Sequence, residues 1–402
     1  MNKNIAIIYW ILIIGLIIRL LLSFLPAFEA DQSAFRFWTA RLASGGPANF
    51  YSPDIFTNNP LGILYFFWFI GLIKNSILSS LPFTINLDLL LKLAANLADI
   101  STGFIIYKIV RKELNERLAY IATALYIFNP GLSFNSAIWG QYDGVAIFFL
   151  LLSIYSIFIK KSPIVGSILF SVAWIVKPQS LELAPFLIFY FIKYFKPIQW
   201  GYSLLAFILI TLIVYLPFFP SNPLYGIYYV NYGSTKLFNC TSCNALNFWG
   251  IIGNWQNDAN LFLGIPMLTW GFLLTSIFLI IIFSLNKIKG NILYLTISIS
   301  MLAFFMFLTR MHERYFSYFF PFLLLSAMTL KSKVLIGFYI FFSLVFLLNL
   351  YLPYSYYNNS VGITNLPFNN LLSSNLFSYM SLIVFLGFMF FYIYYLKYAK
   401  DN

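Results

Sequence analysis

Residues 5–25 have the sequence IAIIYWILIIGLIIRLLLSFL, in which Arg19 is the only charged residue. A helix that crosses a bilayer needs about 20 mostly apolar residues, and this stretch has that length. It lacks a clean small-residue cleavage site, so it is predicted to be a retained first membrane helix. The rest of the chain agrees, because 61% of its residues are hydrophobic and only 9% are charged, compared with about 25% charged in soluble domains. These proportions exclude a water-soluble globule and a disordered chain.

The same pattern recurs along all 402 residues and predicts an all-α polytopic membrane protein. The runs predicted to cross the bilayer are residues 5–25, 86–109, 118–135, 143–159, 163–176, 180–192, 199–219, 263–284, 291–308, 315–330, 333–352 and 375–396. A further run, residues 61–81, is predicted to lie outside as a re-entrant or interfacial helix, because only then do the basic clusters share one side. Those clusters are Lys3, Arg111-Lys112 with Arg117, Lys160-Lys161, Lys193 with Lys196, Lys287 with Lys289, Lys331 with Lys333, and Lys397 with Lys400. We expect a cell-membrane protein with about twelve crossings and both termini in the cytoplasm.

The net charge of +12 results from 24 basic and 12 acidic residues. Because the basic residues collect in the predicted cytoplasmic loops, nucleic acid is not expected as a partner. Six acidic residues are predicted to lie outside or at the outer interface: Glu29, Asp31, Asp54, Asp143, Asp258 and Glu313. The long loops, 26–60, 220–262 and 353–374, are predicted to be outer loops as well. Any chemistry is therefore expected on the extracytoplasmic face. Asn239 and Asn358 begin two Asn-x-Ser/Thr sequons on that side and are candidates for N-glycosylation.

The first outer loop begins with an acid pair, Glu29 and Asp31, directly beyond the first helix. An amphipathic stretch, residues 33–43, follows the pair, and its aromatic face is predicted to lie on the bilayer surface. Gly45-Gly46-Pro47 is expected to end that helix. The alternative interpretation is a solvated acidic loop without a function.

Trp139-Gly140-Gln141-Tyr142-Asp143 is predicted to join the third and fourth crossings on the outer face. These residue types suit sugar binding, since the Trp139 indole can stack on a pyranose ring while Gln141 and Asp143 bond hydroxyl groups. The alternative is an interfacial tryptophan followed by a helix cap at Asp143.

Lys177-Pro178-Gln179 lies at a predicted outer corner, where a lysine opposes the positive-inside trend. Lys177 is therefore a candidate anion ligand, with a snorkelling lysine as the alternative. Glu182 is close enough in sequence to pair with it. Asp88, Lys92 and Asp99 are spaced to line one helix face and are interpreted as a structural ladder of ion pairs.

The densest polar cluster, residues 309–315, contains Arg310, His312, Glu313 and Arg314 between two long apolar runs. Guanidinium groups bind phosphate oxygens in two-point contacts, and on a helix the two arginines would share a face. A surface turn with self-paired charges is the alternative. Burying these charges beside lipid without partners would be expensive, which favours a phosphate site.

Cys240 and Cys243 are the only cysteines, and they form a Cys-x-x-Cys pair. Such a pair is redox-active, half of a metal site or a small disulfide. With a single histidine in the chain, a four-ligand zinc site of Cys and His is excluded. A disulfide in an outer loop is the favoured interpretation.

These motifs, in this order, resemble those of the GT-C superfamily of membrane glycosyltransferases, in particular its prokaryotic branch related to the GPI second-mannose mannosyltransferases. The matching segments are Glu29-Ala30-Asp31, Gly45-Gly46-Pro47-Ala48-Asn49-Phe50-Tyr51, Trp139–Asp143, Lys177-Pro178-Gln179 and Arg310–Tyr315. The resemblance extends over about residues 1–320, and the last two helices look generic. One departure is Asn58-Asn59-Pro60-Leu61-Gly62, where relatives often have Tyr-Pro-Pro-Gly.

The resemblance implies a GT-C fold with juxtamembrane helices on the outer face. Residues 1–220, with the first outer loop 26–85, would form an N-terminal catalytic module, and residues 221–402 a C-terminal module with the 309–315 cluster. It further implies inverting transfer of a hexose, mannose above all, from a polyprenyl- or dolichyl-phosphate donor. The acceptor would be a glycan, a glycolipid or a protein, and membrane lipids would surround the enzyme.

The hypothesis for the mechanism makes Asp31 the base that removes the proton of the acceptor hydroxyl. Glu29 is expected to orient Asp31 or to raise its pKa. The donor phosphate is assigned to Arg310, His312, Arg314 and Lys177, and the sugars and acceptor to Trp139, Gln141, Asp143 and Gln179. No cofactor is required, although Asp31 and Asp143 are candidate ligands for Mg²⁺ or Mn²⁺.

Three other classes of protein remain open from the sequence. A lipid-linked glycan flippase or secondary transporter would also use intramembrane charges, but an inverted repeat is not evident. A glycan polymerase or ligase would need outward arginines, though not the acid pair of the first loop. A non-catalytic scaffold would have no use for the basic cluster.

Overall fold

The computed structural model describes residues 3–53, 57, 60–77, 85–285, 292–373 and 375–401. Asp54, Asn58, Asn59, Lys287 and Lys289, which entered the sequence analysis, lie outside the described residues. Helices dominate the described part, and its four strands are two residues long each. The all-α class is therefore confirmed.

The helices follow one another with short connections. The first eight are α1 (Lys3–Leu22), α2 (Glu29–Gly45), α3 (Leu61–Ser76), α4 (Leu87–Glu113), α5 (Glu116–Ile127), α6 (Pro130–Ser133), α7 (Asp143–Ile154) and α8 (Pro163–Val176). The remaining nine are α9 (Ala184–Tyr194), α10 (Pro197–Tyr215), α11 (Pro223–Leu237), α12 (Phe248–Ile252), α13 (Met267–Ser284), α14 (Ile292–Phe307), α15 (Phe320–Thr329), α16 (Lys333–Ser360) and α17 (Asn375–Asp401). The strands are β1 (Ser242–Cys243), β2 (Leu261–Phe262), β3 (Ile265–Pro266) and β4 (Met311–His312). Two π-helical turns, Phe134–Trp139 and Tyr155–Ile159, flank α7.

Each run predicted to cross the bilayer contains a helix in the structure. Among the described residues, α4, α10, α13, α16 and α17 are long and apolar enough to span a membrane by length and composition. Shorter apolar helices occupy Ala6–Leu22, Leu61–Ser76, Asp143–Ile159, Pro163–Val176 and Ile292–Phe307. The chain is thus an integral membrane protein, while the number of crossings stays a prediction.

Side chains at the helix starts explain several boundaries. Asn86 accepts a hydrogen bond from the Asp88 backbone N–H at the start of α4, and Asn115 does the same for Leu118 in α5. Such caps satisfy amide groups that the first turn of a helix leaves unpaired.

The amphipathic helix α2 does not present its whole aromatic face to the bilayer as predicted. Phe35 and Trp38 are buried, and Phe35 packs on Phe67 of α3 with ring centroids 5.1 Å apart. The two helices approach closely, since a Cβ on Gly71 would lie 2.7 Å from the Thr39 carbonyl oxygen. The face is covered because α3 folds back on α2, a contact that hydropathy alone does not reveal.

The predicted ladder on α4 is wrong, because each charged residue takes its partner from another element. Asp99 accepts a hydrogen bond from Arg19 of α1 at 2.8 Å, and Asp88 accepts one from Arg36 of α2 at 2.8 Å. Lys92 donates instead to the Ser23 and Leu25 carbonyls at the end of α1. These contacts tie α4 to the turn that leads into α2.

Candidate active site

Asp31, in the first turn of α2, is oriented by two residues from the Trp139–Asp143 segment. Its Oδ2 atom accepts hydrogen bonds from Trp139 Nε1 at 2.7 Å and from Gln141 Nε2 at 2.6 Å. Its Oδ1 atom has no hydrogen-bond partner within the described part of the chain. The result is a carboxylate with one anchored oxygen and one that is free to accept a proton.

Trp139 is not available for stacking on a sugar. Its ring stacks on Phe28 with centroids 4.2 Å apart and lies beside the Tyr354 ring. The predicted pyranose contact is therefore wrong, and the indole N–H serves Asp31 instead. The next residue, Gly140, has φ 90° and leaves no room for a Cβ against the Gln32 amide, so this turn requires glycine.

Lys177 follows the last residue of α8 and points into the same polar network. Its Nζ atom donates to Gln141 Oε1 at 3.2 Å, lies 3.5 Å from Asp143 Oδ1 and sits 4.2 Å from the centre of the Tyr142 ring. Burial lowers the pKa of Lys177 to about 8, although Asp143 partly opposes that shift. The suggested pair with Glu182 does not form, and both Glu182 carboxylate oxygens lack hydrogen-bond partners among the described residues.

Gln141 and Asp143 are buried rather than open to substrate hydroxyls. Besides the contact with Lys177, Asp143 accepts hydrogen bonds from Tyr318 Oη at 3.3 Å and Asn135 Nδ2 at 3.4 Å. Its side chain does not cap α7. The predicted sugar contacts are therefore not open to these two buried side chains. Gln141 holds Asp31 and Lys177, and Asp143 faces Lys177.

Metal ligation by Asp31 and Asp143 has little support from these contacts. No group of three or more His, Cys, Asp or Glu side chains within the described residues could hold a metal ion. Asp143 already faces a lysine, so a cation beside it would compete with the Lys177 ammonium group.

Residues 309–315 do not form an α-helix, so the condition under which Arg310 and Arg314 would share a helix face is not met. Strand β4 pairs in parallel with β1, placing His312 beside Cys243, and residues 313–317 form a 3₁₀ turn. Cys240 and Cys243 form a disulfide in the loop that carries β1. The Arg310 backbone N–H donates to the Cys240 carbonyl at 2.8 Å, so this loop supports the basic segment.

The Arg310 guanidinium is occupied by protein groups. Its Nε atom donates to Asp258 Oδ2 at 2.6 Å, and its Nη1 atom donates to the Thr235 carbonyl. Asp258 is buried and also accepts a hydrogen bond from Thr309. Arg310 therefore anchors the loop, and only Arg314 of the two arginines stays near the proposed base.

Burial changes the charge states of His312 and Glu313, which lie between the two arginines. Arg314 donates to Glu313 Oε1 at 3.1 Å, and burial raises the pKa of Glu313 to about 7, with Arg314 opposing the shift. Burial lowers the pKa of His312 well below its usual value, and the charges of Arg314 and Lys177 lower it further. His312 is thus neutral at pH 7, which corrects its assignment as a fixed cation.

A cavity of about 590 Å³ lies between these segments. Its polar wall includes Lys177, Gln179, Arg310, His312 and Arg314, while Trp174, Leu181, Leu268, Phe272 and Leu308 form an apolar wall. The Gln179 Oε1 atom is buried without a hydrogen-bond partner among the described residues. A cavity with cations on one side and apolar groups on the other suits an anionic group attached to a lipid.

Glu29 does not act on Asp31 in this structure. Its carboxylate pairs with Arg36, which also bonds Asp88 at 2.8 Å and 3.0 Å. The expectation that Glu29 orients Asp31 is therefore wrong, because the Glu29 carboxylate is paired with Arg36 instead.

Residues near the C-terminus belong to the site's surroundings, although the sequence analysis found them generic. Asn358, proposed as a glycosylation acceptor, is only 1% exposed and bonds backbone atoms of Ala27 and Glu29. That sequon cannot be modified in the folded protein, so the prediction is wrong for Asn358. Its Asn-x-Ser pattern marked a polar residue in an outer loop, but nothing in the sequence pointed to its partners.

A helical membrane protein whose oriented carboxylate is linked through Gln141 to a cavity with cationic and apolar walls has the features of a membrane glycosyltransferase. Residues 85–231 match the model of the ALG6, ALG8 glycosyltransferase family. The matched range contains the Trp139–Asp143 and Lys177–Gln179 segments but not Asp31 or residues 309–315. The match supports the resemblance to GT-C glycosyltransferases over that part of the chain. No curated protein matches the chain.

Proposed function

We propose that this protein transfers a hexose, with mannose as the first candidate, from a polyprenyl-phosphate donor to an acceptor hydroxyl with inversion. The observation that carries the proposal is the Asp31 carboxylate, held through Oδ2 by Trp139 and Gln141 with Oδ1 free. Gln141 also contacts Lys177 at 3.2 Å, so the base and a cavity cation share one positioning residue.

Inverting transfer is a single displacement in which one bond forms while another breaks. The acceptor oxygen attacks the anomeric carbon, its proton passes to Asp31 Oδ1, and the bond from the anomeric carbon to the phosphate oxygen breaks. The lipid phosphate leaves with a growing negative charge. Lys177 and Arg314 supply fixed positive charge there, so the proposal requires neither Mg²⁺ nor Mn²⁺.

The apolar wall of the cavity gives the donor's isoprenoid chain a place beside its phosphate. Trp174 belongs to α8, and Leu268 and Phe272 belong to α13. Apolar contacts of this kind favour a lipid-linked sugar over a water-soluble one. The acceptor, whether a glycan, a glycolipid or a protein, is left open by the cavity.

The distribution of charge favours an extracytoplasmic site. α7 begins at the site and α8 ends there, while Lys160 and Lys161 lie at the opposite ends of these helices. The Arg111–Arg117 cluster likewise lies at the C-terminal end of α4 and the start of α5. If basic loops are cytoplasmic, Asp31 and the cavity that contains Lys177 lie on the outer side of the membrane.

The test is an assay of the purified protein with labelled polyprenyl-phosphate mannose and polyprenyl-phosphate glucose against a membrane lipid extract. Wild type should label a lipid or glycan product from one donor, and Asp31→Asn should lower that rate at least about 100-fold, since a positioned base contributes roughly 100- to 10,000-fold. Glu29→Gln, in the same turn but paired with Arg36, is the matched control and should stay within about fivefold of wild type. Transfer by Asp31→Asn at more than about a tenth of the wild-type rate would show that Asp31 is not the base.

A further inference from the structure

The start of α2 is held by a side chain from the other end of the protein. Asn358 of α16 donates from Nδ2 to the Ala27 carbonyl at 2.8 Å and accepts from the Glu29 backbone N–H at 3.1 Å through Oδ1. The two contacts bracket Phe28, the residue that precedes the helix. One buried amide therefore fixes both sides of the turn into α2.

α2 needs this support because it has no cap of its own. Its N-cap residue is Phe28, whose side chain cannot accept a hydrogen bond. The first backbone N–H groups of a helix are otherwise left to find partners outside it. Asn358 supplies one such acceptor across 329 residues of sequence.

Neighbouring residues of α16 strengthen the same contact. Tyr354 donates its hydroxyl to the Pro26 carbonyl, and the Tyr357 ring meets Phe28 edge-on at 5.8 Å between centroids. The Phe28 backbone N–H in turn donates to the Trp139 carbonyl at 3.2 Å. Residues 26–29, the turn around Phe28, thus link α16 to Trp139, which orients Asp31.

We propose that Asn358 is a positioning residue for the reaction, holding the first turn of α2 so that Asp31 meets Trp139 and Gln141. The inference rests on the proposed function, in which Asp31 is the base. A misplacement of about 1 Å at a reacting group can cost about 100-fold in rate, so loss of the amide should slow the chemical step. Loss of the Asn358 amide should not change donor binding, because Lys177 and Arg314 lie on other segments.

The first experiment compares Asn358→Ala with Asn359→Ala in the labelled-donor assay. Asn359 is the matched control, since among the described residues its side chain bonds only residues 364 and 366 of the following loop. Asn358→Ala should lower kcat by about 10- to 100-fold per folded molecule while the donor KM changes less than about twofold. Asn359→Ala should keep the wild-type kcat, and equal losses in the two variants would overturn the proposal.

A double-mutant cycle with Asp31→Asn separates positioning from general damage. If Asn358 acts through Asp31, adding Asn358→Ala to Asp31→Asn should lower the residual rate by less than about twofold. A further loss as large as in the wild-type background would show that Asn358 acts independently of Asp31. Full activity of Asp31→Asn alone would instead refute the base assignment of the proposed function.

Tyr354→Phe keeps the test decisive if Asn358→Ala does not fold. The substitution removes the hydroxyl that donates to the Pro26 carbonyl, in the turn before α2, and retains the aromatic ring. We expect a loss in kcat of about 3- to 10-fold that disappears in the Asp31→Asn background. If Asn358→Ala does not fold and Tyr354→Phe keeps the wild-type kcat, α16 has only a structural role and the proposal is overturned.

Discussion

Lys177 illustrates how a single residue acquires its chemistry from burial. The residue is 5% exposed, and its ammonium group is held by Gln141, Asp143 and the Tyr142 ring. Burial lowers its pKa to about 8, with Asp143 opposing the shift. The residue is therefore mostly cationic at pH 7 but loses its charge within an accessible pH range.

The titration of Lys177 predicts the alkaline limb of the activity profile. If the cation binds the donor phosphate, kcat/KM for the donor should fall by about tenfold per pH unit above pH 8, as the lysine loses its proton. Glu313, with a pKa of about 7, is already ionised in that range and does not contribute. The measurement is the donor kcat/KM of the purified enzyme between pH 7 and 10.

Lys177→Arg is the matched variant for this profile, because a guanidinium stays charged throughout. The absolute rate of Lys177→Arg will differ from wild type, since a planar guanidinium has a different hydrogen-bond geometry from the lysine ammonium group. The decline of its activity at alkaline pH should nevertheless vanish. A wild-type profile that stays flat from pH 8 to 10 would mean that the Lys177 charge is not needed.

At the scale of elements, the short β1–β4 pair carries the basic segment into the cavity. Ser242 pairs with Met311 and Cys243 with His312 in parallel register. The disulfide closes the loop that carries β1, and its Cys240 carbonyl accepts the Arg310 backbone N–H. The position of Arg314, two residues beyond β4, therefore depends on a loop some 70 residues earlier in the chain.

Replacing both Cys240 and Cys243 by alanine should weaken donor binding more than chemistry. Freed from the cross-link, the β1 loop would hold β4 less firmly, and we expect the donor KM to rise about tenfold with kcat changed less than about threefold. Steady-state kinetics with the labelled donor give both values. An unchanged KM in the folded double variant would show that β4 keeps its place without the disulfide.

At the scale of the whole molecule, one buried arginine joins α1 to three other segments. Arg19 of α1 donates to Asp99 of α4 at 2.8 Å, to Ser136 of the π-helical turn at 2.6 Å, and to the Ile127 carbonyl. Both charged side chains are at most 2% exposed. Since the π-helical turn leads to Trp139, this pair stabilises the packing behind the site without touching it.

Arg19→Met should destabilise the protein by about 3–5 kcal/mol, because Asp99 would remain buried without its counter-charge. The double variant Arg19→Met with Asp99→Leu should recover most of that loss, since no charge is then left unpaired. The measurement is thermal unfolding in detergent. Arg36→Met is the control, because its pairs with Glu29 and Asp88 are partly exposed and should be worth less than about 1 kcal/mol.

A double variant as unstable as Arg19→Met would argue against the charge explanation. In that case the volume and shape of the arginine side chain, rather than its pairing, would account for the packing of α1 on α4.

Hydropathy and motif spacing were sufficient for the membrane class, for the helices along the chain and for the segments that supply polar residues to the cavity. Each of these properties is local: an apolar run long enough to form a helix is visible within about 20 residues. The Cys240–Cys243 disulfide could be predicted for the same reason, since its two cysteines are three residues apart in sequence.

The pairing of charges was decided by the fold, because the partners lie far apart in sequence. Arg310, predicted to bind the donor phosphate, pairs with Asp258 instead. Glu29 pairs with Arg36 rather than contacting Asp31, and burial keeps His312 neutral. Asn358 reached the first turn of α2 from the C-terminal helices. Charge state and hydrogen-bond partners depend on which distant groups share a dry interior, and a linear pattern carries no information about that proximity.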